Sequence, residues 1–506
     1  QPAGQHWDAP RYTMEDWYSI PVNDVETTRR VLHAIGAVTI GVNSDREEWH
    51  DYQGGILNDN FRVPTQVNIA ALDHAVALIG YNDETGEDGL GYWILRNSWS
   101  EEWGEDGYMR LRYTTSMSNL WSFYLIAEPW SGESLHLVNT GDIQAVPWSA
   151  GGTYNAHGVD FWGGKASSVV NQGTIGAHAQ SDEALTTARG IYLWGGPGGS
   201  VRNEGLITAS AFSPQGQAVA YGICLQGGEI VNQGTVTAEA DSDANFTLSY
   251  GIWASNGKND LVIENSGEIV AQTGADTLKG SAGIWSENHG RTQVTNSGSI
   301  SAVSGDWAIG VAFIKGPGWL ENSGTITAVA SSVQPLLDYQ GGVGVWANTP
   351  SVIINSGTIS GYNASIASYD TTRLILQSGS DLVGPAWMAG ETDVVLLNGN
   401  GMENEVFYGA ETLVMHGVDW SLSGHSTFGA IQVEYGRLGI DGVIGGETTV
   451  GAHGILGGNG TLTGNVTNRG TVSPGHSIGH LTIDGNYTQS SRSEERRVGK
   501  ECRSRW

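Results

Sequence analysis

The sequence predicts a mainly β protein in two parts: a sheet-rich lobe over residues 1–130, followed by a right-handed parallel β-helix solenoid. Three observations carry this. Glycine makes up 74 of 506 residues and charged residues only 15%, which suits turn-rich β structure and not a helical protein. The pattern Asn-x-Gly-x-(Ile/Val) recurs with Asn at 139, 171, 203, 232, 265, 296, 322 and 355. Short apolar runs rich in Val, Ile and Thr, punctuated by glycine, fill the spaces between copies.

Within residues 1–130, Asn23 or Asp24 is a candidate cap for a helix leading to Leu32. The segment Gly36-Ala37-Val38-Thr39-Ile40-Gly41-Val42 follows, and then Tyr52-Gln53-Gly54-Gly55-Ile56. The apolar run Ala75-Val76-Ala77-Leu78-Ile79-Gly80 fits a buried strand. Residues 83–89 are a polar hairpin loop, and Tyr92-Trp93-Ile94-Leu95 returns as the next strand. That hairpin delivers Asn97 beside His74, with Trp99 over the contact. Gly104 and Gly107 bracket a further turn before a strand at Tyr108.

An imidazole beside a side-chain amide is one half of a thiol-activating site. Only the thiolate attacks a carbonyl, so a base must take the thiol proton. The amide accepts a hydrogen bond from the other ring nitrogen and fixes the tautomer. An indole that keeps water off this hydrogen bond strengthens it.

The whole string from Leu72 through Asn97-Ser98-Trp99 to Met109, with the upstream Tyr-x-Gly-Gly turn, resembles the second lobe of papain-like cysteine peptidases. The resemblance covers residues 12–130. It implies a β-barrel-like second lobe, catalytic His74 and Asn97, and a supporting Trp99. It also implies that Leu72, Asp73 and Gly41 bind substrate, at the pocket for the second residue on the acyl side of the scissile bond. Two positions depart from the family: Ser100 stands where glycine is usual, and Ala37 where proline is common. Neither touches the proton-transfer groups.

In this family the nucleophilic cysteine lies about 130–150 residues before the histidine, and only 73 residues precede His74. The first lobe, with its cysteine, is therefore expected upstream of Gln1. Cys224 falls in the repeats and Cys502 in the C-terminal tail, so neither substitutes for it.

Residues 131–400 are the repeats. A second pattern, Gly-(Ile/Val)-x, sits about a dozen residues before the asparagines, at Gly190, Gly251, Gly283 and Gly344. A unit of about 30 residues cannot bury an apolar face alone, so copies stack into a solenoid. The repeated Asn either forms a ladder from coil to coil or tolerates a left-handed turn. Trp162, Trp194, Trp253, Trp285 and Trp346 recur with the repeat. Stacked burial explains them better than sugar binding. Asp241, Asp243 and Asp276 do not recur at matching positions, so they read as solvated loops and not as a glycan-cleaving row.

Within residues 401–490, the stretch 457–487 closely resembles the passenger-associated repeat of bacterial autotransporters. That resemblance implies a surface-displayed β-helix, exported across the outer membrane of a Gram-negative bacterium and tethered by a C-terminal β-barrel outside this chain. Residues 491–506 break the composition and read as a translated sequencing adapter. The stretch from Arg492 carries six basic and three acidic residues, and without it the formal charge falls from −29 to −32. Such acidity argues against nucleic-acid or anionic-membrane partners. No apolar run reaches the length of a membrane-spanning helix. No cofactor or metal motif is present.

The two resemblances together imply a monomeric cysteine-type endopeptidase, acting on peptide or protein substrates and displayed on a β-helical passenger. The other reading is a structural, adhesin-type passenger whose peptidase lobe is degenerate or serves self-processing.

Overall fold

The computed structural model describes residues 13–20, 25–42, 44, 47–57, 74–83, 91–113 and 122–128 of a first unit. Of a second it describes 135–490 apart from 146–147, 151–152, 163–166, 195–197, 244–245, 256, 275–278, 332–340 and 477–478, together with 494–495. The two compact units divide between Gly132 and Glu133. The expected cap at Asn23 or Asp24, most of the 83–89 loop, and the tail apart from 494–495 lie outside the described residues.

In the first unit, strand β1 (Thr13–Ile20) is followed by helix α1 (Val25–Ile35), β2 (Val38–Val42), the single-turn helix α2 (Glu47–His50) and β3 (Ile56–Leu57). Then come β4 (His74–Asn82), β5 (Tyr92–Arg96), β6 (Tyr108–Arg112) and β7 (Ser122–Glu128). They form one sheet in the order β1-β7-β2-β4-β5-β6-β3, antiparallel except where β3 joins β6. Thr28 and Leu32, one helical turn apart, are buried on one face of α1. Gly36, at φ 82°, ends the helix by donating its N–H to the Leu32 carbonyl at 2.9 Å. Arg29 ties α1 to β4 through Asp83 at 2.6 Å and packs over the Tyr81 ring. The core beneath is Val38, Ile40, Val42, Val76, Leu78, Trp93, Leu95, Met109 and Leu111. These alternate along their strands, as a half-buried sheet requires.

The second unit is a parallel β-helix. Its first sheet carries the Asn motif from His136–Asn139 through Ser351–Asn355. Its second runs from Asp142–Ala145 to Asp381–Val383. Its third runs from Thr153–Trp162 to Phe407–Tyr408, parallel throughout, with one antiparallel strand (Trp148–Ala150) at its start. Register is kept throughout: Asn pairs with Asn in every coil from 139 to 355. Columns of β-branched residues fill the interior, such as Ile175, Ile207, Val236, Ile269, Ile300, Ile326 and Ile359, all buried. Each fully buried side chain of this kind is worth about 1.5–3 kcal/mol.

The structure settles what the repeated Asn does. Each amide nitrogen donates to the amide oxygen of the next coil's Asn at 2.7–2.8 Å, from Asn139 to Asn355, and the last donates to Ser380 Oγ at 2.8 Å. The second amide hydrogen goes to a backbone carbonyl of the following coil, as from Asn171 to Leu206 at 3.1 Å. None of these asparagines has a left-handed backbone. The glycines of both motifs answer to crowding. A Cβ on Gly267 or Gly298 would lie 2.0–2.1 Å from the carbonyl oxygen of the coil before. A Cβ on Gly251 or Gly283 would lie 2.4–2.5 Å from the isoleucine methyl of the second sheet.

The tryptophans stack as well. Trp194 and Trp253 lie 5.8 Å apart with planes 7° apart, and Trp387 and Tyr408 lie 4.0 Å apart at 18°. Trp346 is buried against Tyr369. Trp346 is buried and Trp194, Trp253 and Trp285 are half-buried against neighbouring rings, so ring-on-ring packing accounts for the column. The Trp162 side chain lies outside the described residues.

After Asn355 the ladder position passes to Leu376, Leu397 and Met415, and two 16-residue strands, His425–Ile440 and Val443–Gly458, wrap the coil. The Pro474-Gly475-His476 turn is tied back by Arg437, which donates to the Gly475 carbonyl at 2.9 Å, and by His476 against Asp441 at 2.9 Å. Of residues 491–506, Glu494–Glu495 pairs with Thr471–Val472.

Two outcomes test this account. Asn296→Ala removes a fully buried amide and leaves donors and acceptors of its neighbours unpaired. Urea unfolding is expected to show a loss of about 2–4 kcal/mol, against under about 0.5 kcal/mol for Asn465→Ala on the surface. Glu403 is buried, and burial pushes its carboxyl up to about 7. The folded chain then binds a proton more tightly than the unfolded one. The stabilisation is full below about 4.5 and is lost as pH rises through about 7, a difference of about 3 kcal/mol. Glu403→Gln should remove this component when melting is followed from pH 4 to 8.

Candidate active site

The candidate pair, His74 and Asn97, sits where β4 begins and β5 ends. His74 is the first residue of β4 and pairs with Val42 of β2. Asn97 directly follows β5, whose Arg96 pairs with Ala77. Because the strands are antiparallel, the two ends meet. His74 Nε2 lies 2.8 Å from Asn97 Oδ1. The same oxygen accepts the Ser98 backbone N–H at 2.8 Å, which fixes the amide orientation. The oxygen can only accept, so Nε2 carries the proton and donates. His74 Nδ1 makes no hydrogen bond among the described residues, and it is the nitrogen available to take a thiol proton.

Asn97 is held from behind. Its backbone N–H donates to the Gly107 carbonyl at 2.9 Å, and Gly107 N–H donates to the Trp103 carbonyl at 2.8 Å. The Asn97 amide Nδ2 is buried and without a partner among the described residues. An orphan of this kind costs about 1–3 kcal/mol and is tolerated where positioning outweighs stability. The Trp99 ring lies 5.1 Å from the His74 ring.

Beneath the pair is an aromatic floor that the sequence reading missed. Trp49 and Trp103 are buried 5.8 Å apart, and Trp103 Nε1 donates to the Trp49 carbonyl at 3.0 Å. Tyr52 packs on Trp103 at 5.7 Å. Its hydroxyl donates to Gly55 O at 2.5 Å and accepts Arg110 N–H at 3.1 Å. This is the physical content of the Tyr-x-Gly-Gly turn. Glu105 closes it, accepting Gly55 N–H at 3.0 Å and pairing with Arg110. The Arg110 hydrogen bonds hold its carboxyl below the usual range. The signal for the floor was the density of aromatics between 49 and 103, which a motif centred on His and Asn passes over.

Of the expected substrate-binding residues, Gly41 lies in β2 opposite Ala75, next to His74. Leu72 and Asp73 lie outside the described residues. Cys224 is fully buried in the third sheet of the solenoid, and burial pushes its thiol up to about 12. It is no nucleophile.

Residues 3–125 match the Papain family cysteine protease and residues 151–376 the BigA third pectate lyase-like domain. The chain therefore joins a papain-family peptidase region to a pectate lyase-like parallel β-helix. A cysteine proteinase of Trypanosoma brucei brucei is 44% identical over 93 residues, 18% of this chain and 18% of that protein. A cathepsin L-like peptidase of Aedes aegypti is 31% identical over 99 residues, 20% of this chain and 27% of that protein. The bromelain protease of Ananas comosus, solved with the E64 inhibitor, is 25% identical over 23% of this chain and 51% of that one, with a TM-score of 0.19. The chain thus spans between 18% and 27% of the length of these two curated relatives.

The departure at Ser100 has a structural cost. Ser100 has φ 100°, a region that favours glycine. Ser100→Gly is expected to raise the stability of the first unit by about 1 kcal/mol, seen as a higher melting temperature with the His74–Asn97 contact unchanged.

Proposed function

We propose that the parent protein is a cysteine endopeptidase displayed on an autotransporter-type β-helical passenger. The observation that carries the reading is the 2.8 Å hydrogen bond from His74 Nε2 to Asn97 Oδ1 under the Trp99 ring. His74 Nδ1 takes the proton of a cysteine thiol supplied by the first lobe. The thiolate attacks the scissile carbonyl, and imidazolium returns the proton to the leaving amine. Water then attacks the thioester, His74 takes its proton, and the acid and the free thiol are released. Asn97 keeps the imidazole in one tautomer through both halves. Oxyanion donors also come from the first lobe. The resemblance of residues 457–487 to the passenger-associated repeat of bacterial autotransporters supports export to the surface of a Gram-negative cell and tethering to its outer membrane.

The structural reading, in which the peptidase region is degenerate or acts only on its own chain, draws on two features. A site released from selection accumulates features such as Ser100 in a glycine-favouring conformation and an Asn97 Nδ2 without a partner among the described residues. The residue at the nucleophile position separates the two readings.

The chain as it stands should not turn over a dipeptidyl reporter, since half of the cleft comes from the first lobe. The parent protein should do so, and a thiol alkylator should stop it. In that protein His74→Gln should lower kcat/KM by at least about 10³-fold and Asn97→Ala by about 10–100-fold. A serine, alanine or glycine at the nucleophile position would sink the peptidase assignment, whereas alkylator-sensitive turnover by the chain alone would overturn the expectation that the nucleophile comes from a first lobe.

A further inference from the structure

We infer that His50 is a positioning residue that holds the Trp99 indole over the His74–Asn97 hydrogen bond, an inference that rests on the peptidase reading of that pair. His50 is the last residue of α2 and is exposed. Its ring stacks on the Trp99 indole with centroids 4.8 Å apart and planes 19° apart, closer and flatter than the contact of His74 with the same indole at 5.1 Å and 33°. Trp99 thus carries two imidazoles. One belongs to the proton-transfer pair, and the other has no part in it.

The geometry around the indole shows why the second imidazole matters. Trp99 is only half-buried, and its remaining aromatic neighbour among the described residues, Trp103, meets it edge-on at 5.7 Å and 79°. An edge contact leaves the indole free to tip about that edge, whereas a stacked ring resists tipping. The backbone carrying His50 is fixed independently. The adjacent Trp49 is fully buried, packs on Trp103, and accepts the Trp103 indole N–H through its carbonyl. One helical turn therefore sends Trp49 into the floor and His50 onto the lid. A stacked ring pair shifts an open–closed balance by up to about tenfold. A tipped lid admits water to the hydrogen bond and weakens it.

The test uses the whole chain labelled with ¹⁵N-histidine, in which the His74 Nε2–H proton is identified by its loss in His74→Gln. Its exchange with water reports the lid. His50→Ala should speed this exchange by roughly tenfold, towards the rate in Trp99→Ala. His50→Phe, which keeps a flat ring without imidazole chemistry, should restore the wild-type rate. A generally loosened lobe would instead speed the backbone amides of β4 and β5 in parallel, and that result counts against positioning. An exchange rate in His50→Ala within about twofold of wild type overturns the inference while leaving the His74–Asn97 pair intact. A wild-type chain with no hydrogen-bonded His74 Nε2–H overturns both the inference and the peptidase reading beneath it.

Discussion

A buried carboxamide has two donors and an acceptor with two lone pairs, and none can be left idle cheaply. Both halves of this chain are organised by that constraint. In the solenoid, each Asn from 139 to 355 hands a hydrogen to the next, and the second hydrogen goes to backbone. A slip of one residue would break every link at once. The ladder therefore sets the register of the first sheet, and the aliphatic columns of the core follow. In the peptidase region a single amide, Asn97, directs its oxygen to an imidazole and to Ser98. There the constraint orients one ring instead of many coils.

The two uses differ in how completely the amide is satisfied. The ladder leaves no member wanting, and it runs through the longest stretch of uniform stacking. Asn97 keeps both amide N–H donors unpaired among the described residues and sits in a turn that places Ser100 in a glycine-favouring conformation. A site that must hold one proton in one place accepts local cost, and the surrounding framework carries it. The framework here is the Trp49–Trp103–Tyr52 floor and the Glu105–Arg110 pair, which fix the turns on either side of the histidine strand.

Legibility varied with how local each signal was. His74, Asn97 and Trp99 were readable because the strand–loop–strand frame between them is short and its ends must meet. Repeats were readable because fixed spacing survives without alignment. The choice between ladder and left-handed turn was not, since Asn serves either role and only the inter-coil geometry distinguishes them. The Gly-(Ile/Val) motif could be seen but not explained. Its glycines are demanded by isoleucines of another sheet, as Gly251 is by Ile269. His50 was invisible for the same reason: it is far from Trp99 along the chain, and no spacing rule joins a helix end to that turn.

The sequence by itself determined the class of each part, because hydrophobic period, glycine punctuation and a dense motif are properties of neighbouring residues. It also determined which imidazole and which amide form the pair. Tertiary structure alone decided the orientation of the Asn97 oxygen, the direction of the asparagine ladder, the stacking of the tryptophans and the second imidazole on the lid. Each of these depends on where an atom distant in sequence comes to rest. Hydrogen bonds and stacked rings are directional and short-ranged, so their partners are fixed only when the chain has closed on itself.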